Sequence, residues 1–145
     1  MNRRRILLVE DNPDDETLIL MSLKKSNVAN EVVVVRDGQE ALDYLFAAGP
    51  HAGRDRDDLP TILLLDLKLP KLDGLEVLRR VREDRRTKTL PVVILTSSDE
   101  QRDRLKSYDL GANSYVCKPL DFNEFTDAVK SLGLYWLLLN MPPRD

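Results

Sequence analysis

The sequence predicts a doubly wound α/β domain, a parallel sheet with helices on both faces, and three observations predict it. Five short apolar runs begin at residues 6, 32, 62, 92 and 115, intervals that suit a strand, a crossover helix and the next strand, roughly 30 residues in all. Each run is continuously apolar rather than alternating, the habit of strands buried on both faces. The segments between them open with helix-start signals, and right-handed crossovers place helices on both sides of the sheet.

The elements follow in order. Ile6-Leu7-Leu8-Val9 is the first strand, and a helix starting just after Pro13 is expected to turn Leu18, Met21 and Ser22 inward. Val32–Val35 is the second strand. Asp37-Gly-Gln-Glu40 then places a capping carboxylate three residues before Glu, the spacing of a capping box. Ala48-Gly49-Pro50 ends that helix. Ile62–Leu65 is the third strand, followed by Asp73-Gly-Leu-Glu76 and an apolar stripe of Leu75, Leu78 and Val81. A break at Asp84–Thr89 leads to Val92–Leu95. The helix after it is announced by Ser98-Asp-Glu-Gln101, the strand Tyr115-Val116-Cys117 comes next, and Asp121-Phe-Asn-Glu124 opens a last helix with Phe122, Phe125, Val129 and Leu132 at helical intervals.

Composition narrows the function. A chain of 145 residues is one domain's worth, and 42% hydrophobic with 32% charged residues is a globular balance. Acids outnumber bases by 25 to 22, which argues against a protein that coats nucleic acid. Cys117 is the single cysteine and His51 the single histidine, so a disulfide framework, a cysteine-rich zinc site and a multi-histidine metal centre are excluded. The basic Met1–Arg5 leads into too short an apolar run for a signal peptide. The longest apolar run, Leu134–Leu139, falls far short of the ~20 residues of a membrane helix. The expectation is a soluble cytoplasmic protein.

Polar residues gather where such a fold binds ligands. Glu10 and Asp11 follow the first strand, Asp66 follows the third, Thr96 ends the fourth and Lys118 follows the fifth. In a parallel sheet all five lie on the carboxyl edge. Converging carboxylates repel unless a cation joins them, and oxygen ligands of this kind favour Mg²⁺, which also accepts a phosphate oxygen. A carboxylate such as Asp66 can accept a phosphoryl group, with Lys118 neutralising its charge and the Thr96 hydroxyl donating to it.

Four strings carry a resemblance. Leu7-Leu-Val-Glu-Asp11, Leu64-Leu-Asp-Leu-Lys-Leu-Pro-Lys-Leu-Asp-Gly74, Val93-Ile-Leu-Thr-Ser97 and Tyr115-Val-Cys-Lys-Pro119 resemble the motifs of response-regulator receiver domains in bacterial two-component signalling. The resemblance runs from about Arg5 to Ser131 and sets residues 1–131 apart as the receiver, with 132–145 as an extension of the last helix and tail. It implies a flavodoxin-like (βα)5 fold with strand order 2-1-3-4-5. It also implies phosphorylation of Asp66 by a histidine kinase or phosphotransfer protein. Mg²⁺ is then held by Asp11, Asp66 and the backbone carbonyl of Lys68, with Glu10 acting directly or through water. Thr96 and Tyr115 become the switch pair, Lys118 the phosphate contact, and Lys118-Pro119 a cis bond. The protein is then no enzyme beyond its own phosphoryl transfer and dephosphorylation.

This chain departs from the common pattern in three places. Glu10 stands where many relatives have Asp, Ser97 where alanine is frequent, and Lys68 puts a positive charge two residues beyond the acceptor, which is expected to alter the lifetime of the aspartyl phosphate. Other features read as structural. Cys117 is expected to be a small buried hydrophobe, His51 to be solvated, and Arg79, Arg80, Arg82, Arg85 and Arg86 to form a solvated face with the interleaved acids.

The run Leu134-Tyr-Trp-Leu-Leu-Leu139 is apolar all round, whereas a helix lying on a sheet buries one stripe. Covering it needs another surface, so a homodimer or partner contact through Tyr135, Trp136 and Leu138 is expected. With Pro142-Pro143 behind it, the tail resembles those of stand-alone receivers paired with phytochrome-type sensor kinases. With only a few residues after Ser131, no DNA-binding output domain is expected. Two alternatives compete with this reading. A phosphorylation-independent interaction module does not need the full acid, threonine and lysine set. A Mg²⁺-dependent aspartyl-phosphate phosphohydrolase similar to the haloacid dehalogenases needs a second Asp where Lys68 stands.

Overall fold

The computed structural model describes residues 5–26, 31–97, 101–118, 123–124 and 126–127. Five parallel strands form one sheet: β1 (Arg5–Val9), β2 (Glu31–Val35), β3 (Ile62–Leu65), β4 (Val92–Thr96) and β5 (Ser114–Cys117), in spatial order β2-β1-β3-β4-β5. The helices are α1 (Pro13–Ser26), α2 (Gly38–Phe46), α3 (Gly74–Glu83) and α4 (Gln101–Asp109), with a short 3₁₀ turn at Gly49–His51. Asn123, Glu124, Thr126 and Asp127 are also helical.

The sheet divides the core in two. Alternate residues of the central strands, Leu7, Val9, Leu63, Leu65, Val92 and Ile94, pack with Leu42 and Leu45 of α2 and Val77, Leu78 and Val81 of α3. The intervening ones, Ile6, Leu8, Ile62, Leu64, Val93 and Leu95, pack with Ile19 and Leu23 of α1. This is the doubly wound arrangement, and its three inner strands are buried throughout. The edge strands β2 and β5 are half-buried over most of their length, because each has a neighbour on one side only.

Capping side chains set the helix starts. Asn12 Oδ1 accepts from the backbone N–H groups of Asp14 and Asp15 at 2.9 and 3.1 Å, Asp37 accepts from Glu40 N at 2.7 Å, and Asp73 from Glu76 N at 3.0 Å. In α1 the inward stripe is Ile19, Ser22 and Leu23, with Leu18 half-buried and Met21 55% exposed, so the expectation for Met21 is corrected. Ser22 faces Thr126, whose Oγ1 donates to its hydroxyl at 3.2 Å.

Three further expectations change. His51 is half-buried, with its ring edge-on to Tyr44 at 5.3 Å and Nε2 3.5 Å from Glu40. Cys117 is half-buried on the edge strand rather than in the core. Arg79 and Arg80 do pair with Glu76 on the surface, but Arg82 turns inward and ties loops together. The Ser98 and Asp121 caps, Pro119, and the tail residues Tyr135, Trp136 and Leu138 lie outside the described residues. Among the described residues no helix is long and apolar enough to cross a membrane.

Candidate functional site at the carboxyl edge of the sheet

Glu10, Asp66 and Lys118 are each held by a backbone hydrogen bond that continues the sheet one residue past its strand. Glu10 N donates to Val35 O at 3.0 Å, Asp66 N to Val9 O at 3.2 Å, and Lys118 N to Thr96 O at 2.6 Å. Because Val9 pairs with Leu65, the residues following them, Glu10 and Asp66, lie side by side. The site is thus an outcome of strand register, and shifting any central strand by one residue would turn its acid to the opposite face.

Lys118 binds the cluster together. Its Nζ donates to Glu10 Oε1 at 2.7 Å, to Asp15 Oδ2 at 2.7 Å and to Asp66 Oδ2 at 3.3 Å. The remaining carboxylate oxygens take backbone donors: Glu10 Oε2 accepts from Asn12 N, and Asp66 Oδ1 from Lys68 N, both at 3.2 Å. Glu10, Asp66, Thr96 and Lys118 are buried, while Asp11 is exposed.

The electrostatics follow from burial. Desolvation raises the Glu10 carboxyl from its ordinary value of 4.5 to about 7, against the opposing hydrogen bond and charge of Lys118. Burial also works against the charge of Lys118, but the hydrogen bonds to Asp15 and Glu10 and the nearby Asp66 outweigh it and hold the ammonium above its usual range. Glu10, Asp11 and Asp66 each offer an oxygen within 4.8 Å of the other two, a spacing that one cation can span. Three hard oxygen donors, one of them on the exposed Asp11, suit a small divalent ion of the Mg²⁺ type.

The structure brings Glu10, Asp11, Asp66 and Lys118 together as the sequence leads one to expect. Thr96 ends β4 at the same edge, and Tyr115, opposite Ile94 in the register, packs half-buried against the core of the α2–α3 face. Thr96, two residues beyond Ile94, points to that same face. The Lys68 ammonium reaches Asp103 of α4 at 4.0 Å. Asp15 is the residue the sequence reading missed. Its one signal is the acid run Asp14-Asp15-Glu16, which is equally what the positive end of a helix attracts.

Fold and site define a class, and family comparison states it. Residues 6–130 match the response regulator receiver domain, and the chain belongs to that family. It is 41% identical over 95% of its length, and 86% of the relative's, to the probable methanogenesis regulatory protein FilR2 of Methanothrix harundinacea. It is 37% identical to the response regulator Rcp1 of Synechocystis sp., covering 91% of this chain and 88% of Rcp1. The crystal structure of Mn²⁺-bound Rcp1 superposes with a TM-score of 0.86 at 35% identity, covering 97% and 99% of the two chains. The phosphorylated cyanobacterial phytochrome response regulator RcpA superposes with a TM-score of 0.88 at 41% identity, over 99% of this chain and all (100%) of RcpA. The chain is a response regulator receiver whose acidic site is of the divalent-metal type.

Proposed function

We propose that Asp66 is the phosphoacceptor, and that the chain relays a signal through a surface that changes when Asp66 is phosphorylated. The observation that carries this is a buried carboxylate at a sheet edge, held by Lys118 and within cation-sharing distance of Glu10 and Asp11. A carboxylate oxygen of Asp66 attacks the phosphorus of a phosphohistidine, the P–O bond forms as the P–N bond breaks, and the imidazole nitrogen leaves with the bonding pair. Water later cleaves the acyl phosphate. The chain is no enzyme beyond these two reactions on itself.

Glu10, Asp11, Asp66 and the backbone carbonyl of Lys68 would hold Mg²⁺, which when bound neutralises charge on the transferring group. Lys118 offers its ammonium to the phosphoryl oxygens, and Thr96 its hydroxyl. Thr96 and Tyr115, on one face of the sheet, form the switch pair that reports the phosphoryl group to the region of α4 and β5. Residues 1–131 make the receiver and 132–145 an extension that supports homodimerisation through Tyr135, Trp136 and Leu138. The donor is a sensor histidine kinase, of the phytochrome type in view of the likeness to RcpA and Rcp1, or a phosphotransfer protein. Output is by protein contact in the cytoplasm, without direct binding to DNA or membrane.

Intact mass after incubation with acetyl phosphate tests the chemistry. A phosphoryl adduct is expected with Mg²⁺, absent without it and absent in Asp66→Asn. No adduct, together with no binding of beryllofluoride, overturns the reading in favour of a phosphorylation-independent interaction module.

A further inference from the structure

An ammonium has three N–H donors and no acceptor, so the partners it already holds limit what it can hold next. Lys118 has three carboxylate partners, and they differ. Glu10 and Asp66 belong to the trio whose oxygens one cation can span, whereas Asp15 does not. Asp15 sits in the first turn of α1, yet its bond to the lysine is as short as that of Glu10 and shorter than that of Asp66. An acid that merely complements the helix end does not need a buried partner, as the exposed Asp14 next to it illustrates.

We propose that Asp15 is a positioning residue for Lys118: it holds the ammonium toward α1 in the unphosphorylated protein and competes with the phosphoryl group for it. The inference deepens the receiver reading and rests on Asp66 being the acceptor. A phosphoryl group on Asp66 brings new anionic oxygens to a lysine with no N–H to spare, so a carboxylate has to give way. Esterified Asp66 has lost most of its charge and is the weaker acceptor for it. Glu10 shares its charge with the cation site. Asp15 lies outside the trio that a metal ion can span and keeps the strongest claim on the lysine. Its strength therefore sets how readily Lys118 crosses to the phosphoryl group, and links occupancy of the site to a contact made by α1.

The test is Mg²⁺-dependent binding of beryllofluoride, a phosphoryl mimic, measured by calorimetry on the full chain. Asp15→Asn keeps the shape and removes the charge, and is expected to tighten binding about fivefold to tenfold. Asp14→Asn, which removes a neighbouring charge with no bond to Lys118, should change it by less than about twofold. In the metal-free protein the Lys118 ammonium signal in ¹⁵N-detected NMR should be protected from solvent exchange, and Asp15→Asn should lose that protection. Unchanged or weaker beryllofluoride binding by Asp15→Asn overturns the proposal, as does an equal effect of Asp14→Asn or a Lys118 signal indifferent to Asp15. Failure of the wild-type chain to bind beryllofluoride at all overturns the phosphoacceptor reading first, and is distinguishable from these outcomes. Asp15→Ser repeats the measurement should the Asn variant unfold.

Discussion

Glu10 is a residue whose charge this protein holds with difficulty. It is almost fully buried, between Asp66 and Lys118, and desolvation raises its carboxyl to about 7. The sign of the pH effect follows from that direction. Below 4.5 the group is protonated in both the folded and unfolded chain and costs nothing. As pH rises toward 7 the unfolded chain releases the proton while the folded one keeps it, so stability of the metal-free protein falls across this window. The expected loss from this group is roughly 2 to 3 kcal/mol. Urea unfolding of the metal-free protein at a series of pH values should show the decline, and Glu10→Gln should remove it. Metal affinity should move the opposite way, weakening by about tenfold between pH 7.5 and pH 6 as protons compete for the carboxylate; calorimetric titration with Mg²⁺ measures it. Glu10, Asp66, Thr96 and Lys118 were legible as residues of the carboxyl edge because each abuts an apolar run, with Asp11 one position further on, and a run that ends at that edge fixes where the next side chain goes. Asp15 was not, because its bond to Lys118 depends on where α1 packs relative to the end of β5, which no local pattern encodes.

The arginines of α3 illustrate how far an element's pattern can be read. Arg79, Arg80 and Arg82 look alike in sequence, interleaved with Glu76 and Glu83. Arg79 and Arg80 bond Glu76 across one exposed turn, and pairs of that kind contribute little in water. Arg82 instead donates to Gly111 O at 2.7 and 3.0 Å, to Leu90 O at 2.7 Å and to Asn113 Oδ1 at 3.1 Å, joining the loops that precede β4 and β5. Asn113 Oδ1 in turn accepts from Val92 N at 2.8 Å, so the clamp reaches the first residue of β4. Arg82→Met should therefore cost about 2 to 3 kcal/mol, while Arg79→Met stays within about 0.5 kcal/mol, in denaturant unfolding. What separates the two is the long-range neighbour, and that is absent from a helical wheel. The same holds for α1, where periodicity marked Leu18 and Met21 and the sheet selected Ile19 and Leu23. Where a local rule was complete, as in the caps Asp37 and Asp73, the reading and the structure agree. Gly74 shows a stricter constraint on an element start. A Cβ there would lie 2.2 Å from Asp66 O and 2.7 Å from Leu67 Cα, so the glycine lets α3 begin against the backbone of Asp66. Gly74→Ala should displace Asp66 and lower the phosphoryl yield with acetyl phosphate by more than about tenfold, alongside a loss of stability.

At the scale of the whole molecule, the sheet gathers residues from distant parts of the chain into one site, with Glu10 and Lys118 separated by 108 positions. Its order was accessible through the resemblance to receiver domains, because the handedness of parallel connections narrows the topologies without choosing among those left. The surface is harder to read, because what covers an apolar patch depends on a second body. The run Leu134–Leu139 is made of apolar and aromatic residues throughout, more than a single buried helical stripe would need. On α4, Leu105 and Tyr108 are 61% and 47% exposed, so that helix also presents apolar surface to solvent. If the tail joins two copies of the chain, sedimentation equilibrium at micromolar concentration gives the mass of a dimer. Replacing Tyr135 and Trp136 together by Ser should then shift it to the monomer, weakening association by more than about a hundredfold, as central aromatic contacts in an interface usually do. The heat stability of the separated subunits should change little. If the tail instead folds back on its own domain, the same double substitution removes apolar burial within one chain: the mass stays that of a monomer throughout and the melting temperature falls by several degrees. Repeating the sedimentation with beryllofluoride and Mg²⁺ then distinguishes a dimer that exists before phosphorylation from one that phosphorylation assembles, because only the second changes its dissociation constant with the state of Asp66.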